Sequence, residues 1–321
     1  MELNLTSAVI ATLISFTVSV IICPIAIPIL KRIKFGQYVR DDGPQSHLSK
    51  AGTPTMGGII IVLSFVVASL FYLQSNLEGL LLVLFVFSFS LIGVVDDYLK
   101  KIRKRSLGMR AYQKWFAQIA VAVSFVSYIY INPDFSTAIS IPFTGGLHLE
   151  LGIFYIPIIS FIILGTVNGA NFTDGMDGFA SGVAVIIAAF FMFAALSLQS
   201  ASLPMTGAFA GSLLGFLLFN SYPAKIFMGD TGSMAIGGFV AGIAVLLNMP
   251  IWLGIVALIY VIEVLSVIIQ VTYFKKTGGK RFFKMAPIHH SFELSGWHET
   301  KITTMFCVIT VILCLIGFLA L

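Results

Sequence analysis

The chain has 321 residues, of which 58% are hydrophobic and only 10% are charged. This balance excludes an ordinary soluble domain and predicts an integral membrane protein. The formal net charge of +5 requires no nucleic-acid partner, because the basic residues collect on one face of the predicted membrane domain.

Ten hydrophobic segments predict about ten transmembrane helices in a single polytopic domain that covers residues 1–321. A segment that crosses lipid alone must satisfy its own backbone hydrogen bonds, so each is predicted to be α-helical. In chain order the segments are about 7–30, 56–74, 79–95, 112–131, 154–170, 179–198, 204–220, 233–249, 251–274 and 302–320. Between the fourth and fifth, the alternation around Thr144, Gly145 and Gly146 predicts a small β-hairpin. The predicted fold class is all-α, with this one hairpin.

The basic residues predict the orientation of the helices. All 19 Lys and Arg residues lie in five loops on one face, or within about three residues of them. These loops are about 31–55, 96–111, 171–178, 221–232 and 275–301. The positive-inside rule makes this face cytoplasmic, with both termini and the hairpin outside. We expect the five loops to form the active site.

Five aspartates lie on the same predicted face: Asp96, Asp97, Asp174, Asp177 and Asp230. Ionisable groups at a membrane boundary are costly, which favours a functional site. Carboxylates beside Gly, Ser, Thr and Lys suggest a divalent metal and a phosphorylated substrate, and the glycine-flanked Asp230 is a candidate Mg2+ ligand.

The adjacent Asp96 and Asp97 are not expected to share one helix face. One of them could bind the metal or the attacking group, while the other pairs with Lys100 or Lys101.

Two polar strings extend the candidate site. Lys50 lies in a Gly- and Thr-rich loop suited to phosphate contacts, although a flexible loop with a solvated lysine is the alternative. A second string carries Asn168, Asn171, Asp174 and Asp177. If this segment is helical, spacings of three place these side chains roughly on one side; its glycines also fit a break in the helix, and helix capping is the alternative.

Three further parts of the sequence have two interpretations each. Phe227 is a core or lipid-facing aromatic, or it stacks on a base. At least one of His289 and His290 is interpreted as a phosphate partner, and the loop that carries them could also lie on the membrane. Glu263 lies in the middle of a predicted span, where a functional role and an internal hydrogen bond are equally supported.

Five strings in the sequence resemble those of a known family: GTPTMGG, GVVDDYLK, NGANFTDGMDG, FMGDTGS and MAPIHHSFE. They are similar to phospho-N-acetylmuramoyl-pentapeptide transferases, a branch of the polyprenyl-phosphate N-acetylhexosamine-1-phosphate transferase superfamily. The resemblance covers about residues 31–299. It departs at Ser291, where the family often has a third histidine.

The resemblance implies a reaction and its partners. UDP-MurNAc-pentapeptide would react with undecaprenyl phosphate in a Mg2+-dependent transfer that forms lipid I and UMP in peptidoglycan synthesis. The enzyme would be a homodimer in the bacterial cytoplasmic membrane. One rival uses the same chemistry on UDP-GlcNAc, and another is a cation- or proton-coupled transporter, although a relay would place acids near the bilayer midplane.

The resemblance also implies residue roles. Asp230 matches the metal-binding aspartate, Asp96 and Asp97 match the acids assigned to lipid-phosphate activation or catalysis, and His289 matches the first histidine of the catalytic loop. Phe227 matches the aromatic that stacks on uracil. Positions that line the substrate site are Lys50, Thr55, Asn171, Asp174, Asp177, Phe227, Gly229, Gln270 and His290, to which we add Lys100 and Asn168.

The ionisation of a phosphate monoester favours direct attack by the lipid phosphate over an aspartyl-phosphate intermediate, and the sequence leaves both routes open.

Overall fold

A computed structural model describes residues 4–33, 50, 52–103 and 108–321 of the chain. Twelve α-helices and two short strands are present in these ranges. The helices are α1 (Leu5–Arg32), α2 (Gly58–Ser69), α3 (Leu77–Arg103), α4 (Ala111–Ile131), α5 (Tyr155–Thr173), α6 (Phe179–Ser197), α7 (Leu203–Asn220), α8 (Gly229–Leu246), α9 (Leu253–Val256), α10 (Leu258–Lys276), α11 (Ile288–Glu293) and α12 (Glu299–Ala320). The strands are β1 (Ile139–Ser140) and β2 (His148–Leu149).

The architecture is that of an all-α integral membrane protein, as the sequence predicts. Within the described ranges, nine helices are long and apolar enough to cross a membrane. The second predicted span becomes the shorter apolar helix Gly58–Tyr72. The ninth is interrupted at Ala257, where the backbone leaves helical geometry between α9 and α10.

The predicted hairpin is confirmed. β1 and β2 pair antiparallel, with Ile139 opposite Leu149, and Gly145 and Gly146 in the connecting turn adopt φ of +65° and +103°. The hairpin precedes α5, whereas Asp174 follows the last residue of that helix. The hairpin and the aspartates therefore lie at opposite ends of α5.

The centre of the bundle is α8, which packs against α2, α3 and α5 and is buried from Thr231 to Leu246. Beside it, α1 lies close to α7 because Gly207, Gly211 and Gly215 form a four-residue repeat. A Cβ atom at Gly211 would lie 2.1 Å from the backbone oxygen of Thr12. Such small-residue spacing lets membrane helices approach closely where lipid offers no hydrophobic driving force.

The predicted loop boundaries differ from the structure at several helix ends. α3 continues through Asp96 and Asp97 to Arg103, so the first part of the predicted loop 96–111 is helical. An ion pair between Lys100 and Asp96, one turn apart, supports this extension. The predicted loop 275–301 contains α11, and α8 begins at Gly229 inside the predicted loop 221–232. Most of the predicted loop 31–55 lies outside the described residues.

Candidate active site

Three carboxylates from two helices form the centre of the candidate site. Asp96 and Asp97 are buried on α3, and Asp230 lies in the first turn of α8. One oxygen of each lies within 4.8 Å of the others. Asp96 and Asp97 are adjacent on α3 and have different hydrogen-bond partners, yet their carboxylates converge with that of Asp230 from the neighbouring helix.

Two lysines balance these carboxylates. The Nζ atom of Lys100 lies 2.8 Å from Asp96, 3.6 Å from Asp97 and 3.0 Å from Asp230. Lys114, on α4, lies 2.5 Å from the other oxygen of Asp230. The point where the three carboxylates converge therefore already accommodates a positive charge. Three oxygen ligands at such a point suit a hard divalent cation, so the donor set fits Mg2+.

Lys114 is a functional candidate that the sequence interpretation missed. A signal for it was available, because it is the one Lys or Arg inside the ten predicted spans. Its Nζ atom also lies 3.3 Å from the side-chain oxygen of Asn171, so it links α4 to both α5 and α8.

Asp97 holds the first turn of α8 in place. Its carboxylate accepts hydrogen bonds from the amides of Asp230 and Thr231 at 3.2 and 3.0 Å, and from the Thr231 hydroxyl at 2.7 Å. A carboxylate that accepts amides from a helix N-terminus is favoured by the helix dipole. Asp96 instead accepts a hydrogen bond from the amide of Met109 at 2.8 Å, which fixes the chain where it enters α4.

Two glycines allow the close approach of α3 and α8. A Cβ atom at Gly93, one turn before Asp96 and Asp97, would lie 2.3 Å from the backbone oxygen of Asp230. Gly229 adopts φ of +67°, and a Cβ there would lie 2.6 Å from Asp97 and 2.8 Å from the hydroxyl of Thr55. Gly229 and Thr55 therefore belong to the same site as the carboxylates.

The polar string of α5 divides at the end of the helix. Asn168 donates a hydrogen bond to Gln118 on α4, and Asn171 donates one to Ser233 on α8, both at 2.8 Å. Helix α5 ends at Thr173, so Asp174 and Asp177 lie in the following turn and not on one helix side with the asparagines.

Asp174 and Asp177 have different surroundings. Burial, with the negative charges of Asp230 and Asp97 nearby, raises the pKa of the Asp174 carboxyl to about 8. Asp177 accepts hydrogen bonds from Lys50 at 2.7 Å and from the amide of Ala224 at 2.8 Å.

The segment around Lys50 is joined to the segment around Phe227. Lys50 also pairs with Glu299, and although burial opposes its charge, the hydrogen bonds to Asp177 and Glu299 hold the pKa of Lys50 above its ordinary value. The Phe227 amide donates to the carbonyl of Pro54, and the Gly57 amide donates to the carbonyl of Phe227, both at 2.8 Å. These bonds fix the backbone at Phe227, whose side chain is half-buried and which lies two residues before Gly229.

The remaining candidates occupy α10 and α11. The side-chain oxygen of Gln270 accepts hydrogen bonds from the amides of Phe282 and Phe283 at 3.2 and 2.8 Å. The Nδ1 atom of His290 lies 3.0 Å from Glu293.

His289 has no exposed surface, and its Nδ1 atom lies 3.2 Å from the carboxylate of Glu263. Glu263 therefore makes an internal contact with His289, which agrees with the second of its two interpretations.

A groove of about 450 Å³ runs between α4 and α5. Lys114 and Asn171 line it, and its rim carries Tyr112 and Trp115, which are 53% and 52% exposed. The groove therefore joins the polar site to large aromatic surfaces on the outside of the bundle. Amphipathic aromatics of this kind are common where a membrane protein meets the lipid interface.

Residues 79–248 match the family description "Glycosyl transferase family 4", and residues 50–62 match "Phospho-N-acetylmuramoyl-pentapeptide-transferase signature 1". The chain is also similar to curated proteins called phospho-N-acetylmuramoyl-pentapeptide-transferase. That of Clostridium botulinum is 50% identical over 97% of this chain and 95% of its own length. Those of Clostridium kluyveri and Clostridioides difficile are 47% identical and cover 97% and 100% of this chain, and 98% and 99% of their own lengths.

Proposed function

The chain belongs to the phospho-N-acetylmuramoyl-pentapeptide-transferase family, within glycosyl transferase family 4, and from this premise we propose its substrates. UDP-MurNAc-pentapeptide donates phospho-MurNAc-pentapeptide to undecaprenyl phosphate, which yields lipid I and UMP. The enzyme works as a homodimer in the bacterial cytoplasmic membrane, with its site on the cytoplasmic face.

The observation that carries this proposal is the position of the charged site at the inner end of the α4–α5 groove. Lys114 belongs to both, because it pairs with Asp230 and lines the groove. A reaction between a soluble and a lipid-bound phosphate needs such a junction between polar and apolar surfaces. The prenyl chain of the acceptor would lie along the groove, with its phosphate toward Lys114.

Asp230 would hold the metal, at a point where the oxygens of Asp96 and Asp97 already face the positive charge of Lys100. Mg2+ bound there would neutralise the phosphate oxygens between which the group is transferred. We expect MgCl2 to raise the Tm of the wild-type protein, and the Asp230→Asn variant to lose most of that rise. An equal rise in both would remove Asp230 from the metal role.

The proposed reaction is direct attack by the lipid phosphate on the β-phosphate of the nucleotide. The phosphate is largely ionised near neutral pH, since its second pKa is about 6. Asp97 is committed to the amides of α8, which favours Asp96 as the group that positions the attacking phosphate. Lys100 and Lys114 spread the charge that develops on the transferring group, while the bond to the UMP oxygen breaks.

The experiment compares donors and tests the route at the same time. Enzyme stripped of polyprenyl phosphate is mixed with labelled UDP-MurNAc-pentapeptide or UDP-GlcNAc, before and after undecaprenyl phosphate is added. We expect UMP only from the muramoyl donor and only with the lipid. Comparable release from UDP-GlcNAc would support the rival sugar. Stoichiometric release without lipid, with label on Asp96 or Asp97, would overturn direct attack.

A further inference from the structure

A buried acid and a buried histidine meet behind the candidate site. Glu263 lies on α10, inside a predicted membrane span, and His289 lies on α11, and both side chains are 0% exposed. The Glu263 Oε2 atom is 3.2 Å from His289 Nδ1. A carboxyl group in such a position is costly unless a polar partner meets it.

Among the described residues, the carboxyl oxygens of Glu263 and the ring nitrogens of His289 make no regular hydrogen bond, so the 3.2 Å contact between Oε2 and Nδ1 is the close polar contact of both side chains. Removing one member would therefore leave the other buried without a partner, which costs more than the net gain of the contact itself.

The other side of the histidine ring faces the turn that follows α5. A Cβ atom at Gly175 would lie 2.2 Å from Nε2 of His289 and 2.9 Å from its Cε1 atom. The ring also meets Phe179 edge-on, with centroids 5.4 Å apart. His289 therefore fills the space directly behind the turn between Asp174 and Asp177.

The helix that carries Glu263 is itself set by a close approach to α5. A Cβ atom at Gly169 would lie 2.6 Å from the Cβ atom of Tyr260, which is one turn before Glu263. The position of α10 relative to the end of α5 is thus fixed by backbone contact. Glu263 on this helix contacts His289, and His289 in turn lies against the turn after α5.

We propose that Glu263 is a positioning residue, which through His289 holds the turn carrying Asp174 and Asp177 in the geometry that binds the nucleotide sugar. This inference rests on the proposed function for its substrate. It assigns no contact with substrate to Glu263.

The substitutions at Glu263 are chosen to avoid a cavity. Glu263→Met removes the polar contact with little change in length, and Glu263→Gln keeps an acceptor for the Nδ1 proton. Leu265→Met is the matched control, because Leu265 is on the same helix and 48% exposed. His289→Ala and the double variant Glu263→Met/His289→Ala complete a cycle that measures coupling between the two positions.

In the UMP-release assay we expect Glu263→Met to raise the KM for UDP-MurNAc-pentapeptide with little change in the KM for undecaprenyl phosphate. A displacement of about 1 Å in a positioned group costs up to about 100-fold in catalytic efficiency. The Gln variant should recover most of the loss. In the His289→Ala background the Met substitution should have almost no further effect. Losses that multiply across the cycle, or equal losses in the Met and Gln variants, would overturn the proposal.

A second readout does not need the substrate. Lys284 is exposed in the segment before α11, and loosening of α11 should speed trypsin cleavage after it. We expect faster cleavage in Glu263→Met than in wild type, Glu263→Gln or Leu265→Met. Unchanged cleavage in Glu263→Met would contradict the anchoring role even if the proposed reaction were correct. Faster cleavage of Glu263→Met, combined with no UMP release from this donor by the wild-type enzyme, would sustain the anchoring and reject the substrate.

Discussion

A methyl group at Gly93 tests whether the approach of α3 and α8 determines activity. In Gly93→Ala the new Cβ atom would lie 2.3 Å from the backbone oxygen of Asp230 and 2.5 Å from both its carbonyl carbon and the Thr231 amide nitrogen. All three are backbone atoms of the first turn of α8, so no side chain can rotate away. The turn must move, and it carries Asp230.

The size of the movement follows from the contact distance. Ordinary contact begins at 3.4 Å, so Asp230 must retreat by about 1 Å from Asp96 and Asp97. A displacement of this size costs about 100-fold in rate where reacting groups must be aligned. Overpacking of this kind also costs about 1–3 kcal/mol of stability.

The assay is UMP release by purified wild-type enzyme and variants, with Tm measured on the same samples. Gly165→Ala is the matched control, because Gly165 is also in a membrane helix and a Cβ there meets no atom within 4 Å. We expect a loss of about 100-fold for Gly93→Ala and near-normal turnover for Gly165→Ala. Normal turnover in Gly93→Ala, or equal losses in both, would refute the reasoning.

Three further predictions address single side chains. Lys114→Met should lower kcat/KM by about 100-fold. MgCl2 should raise the Tm of this variant more than that of wild type, because Asp230 has lost a compensating cation. Equal Tm shifts would contradict this expectation. Phe227→Ala should weaken UMP binding by about 1–3 kcal/mol, measured by calorimetry, and an unchanged affinity would make Phe227 a core or lipid-facing residue. The folded pKa of Asp174, about 8, lies above its unfolded value. The folded state therefore holds the extra proton, and in EDTA the wild-type Tm should fall as pH rises toward about 8. Asp174→Asn should flatten this dependence, and a wild-type Tm that rises over this range would reverse the assigned sign.

The sequence was sufficient for the membrane class, the hairpin and the aspartates, because each is expressed in a local pattern of composition or spacing. Asp96, Asp97 and Asp230 could be named as candidates, but their convergence could not be seen. It depends on the close approach of α3 and α8 at Gly93. The two helices are separated by more than a hundred residues in the sequence. Lys114 was overlooked because a single lysine near a helix start also fits a role in orientation.

Contacts between side chains inside the predicted site also could not be predicted from local sequence patterns. The pairing of Glu263 with His289 joins two elements whose separate sequences offer two interpretations each. Similarly, Gln270 contacts the backbone of the segment before α11, which no spacing rule indicates.

The backbone bonds between the segment at Pro54–Gly58 and the segment at Phe227–Met228 have a consequence for biosynthesis. Residues 57 and 58 donate to the carbonyls of Phe227 and Met228, and these partners are synthesised only after seven of the twelve helices. Until then the amides of the earlier segment have no protein acceptor here, and Asp97 lacks the amides of α8. The candidate site therefore assembles late, and a nascent chain that ends before α8 has Lys100 and the paired acids of α3 without Asp230. Contacts between residues so far apart in the sequence form slowly, because the entropy cost of closing the loop comes before the contact can stabilise the chain.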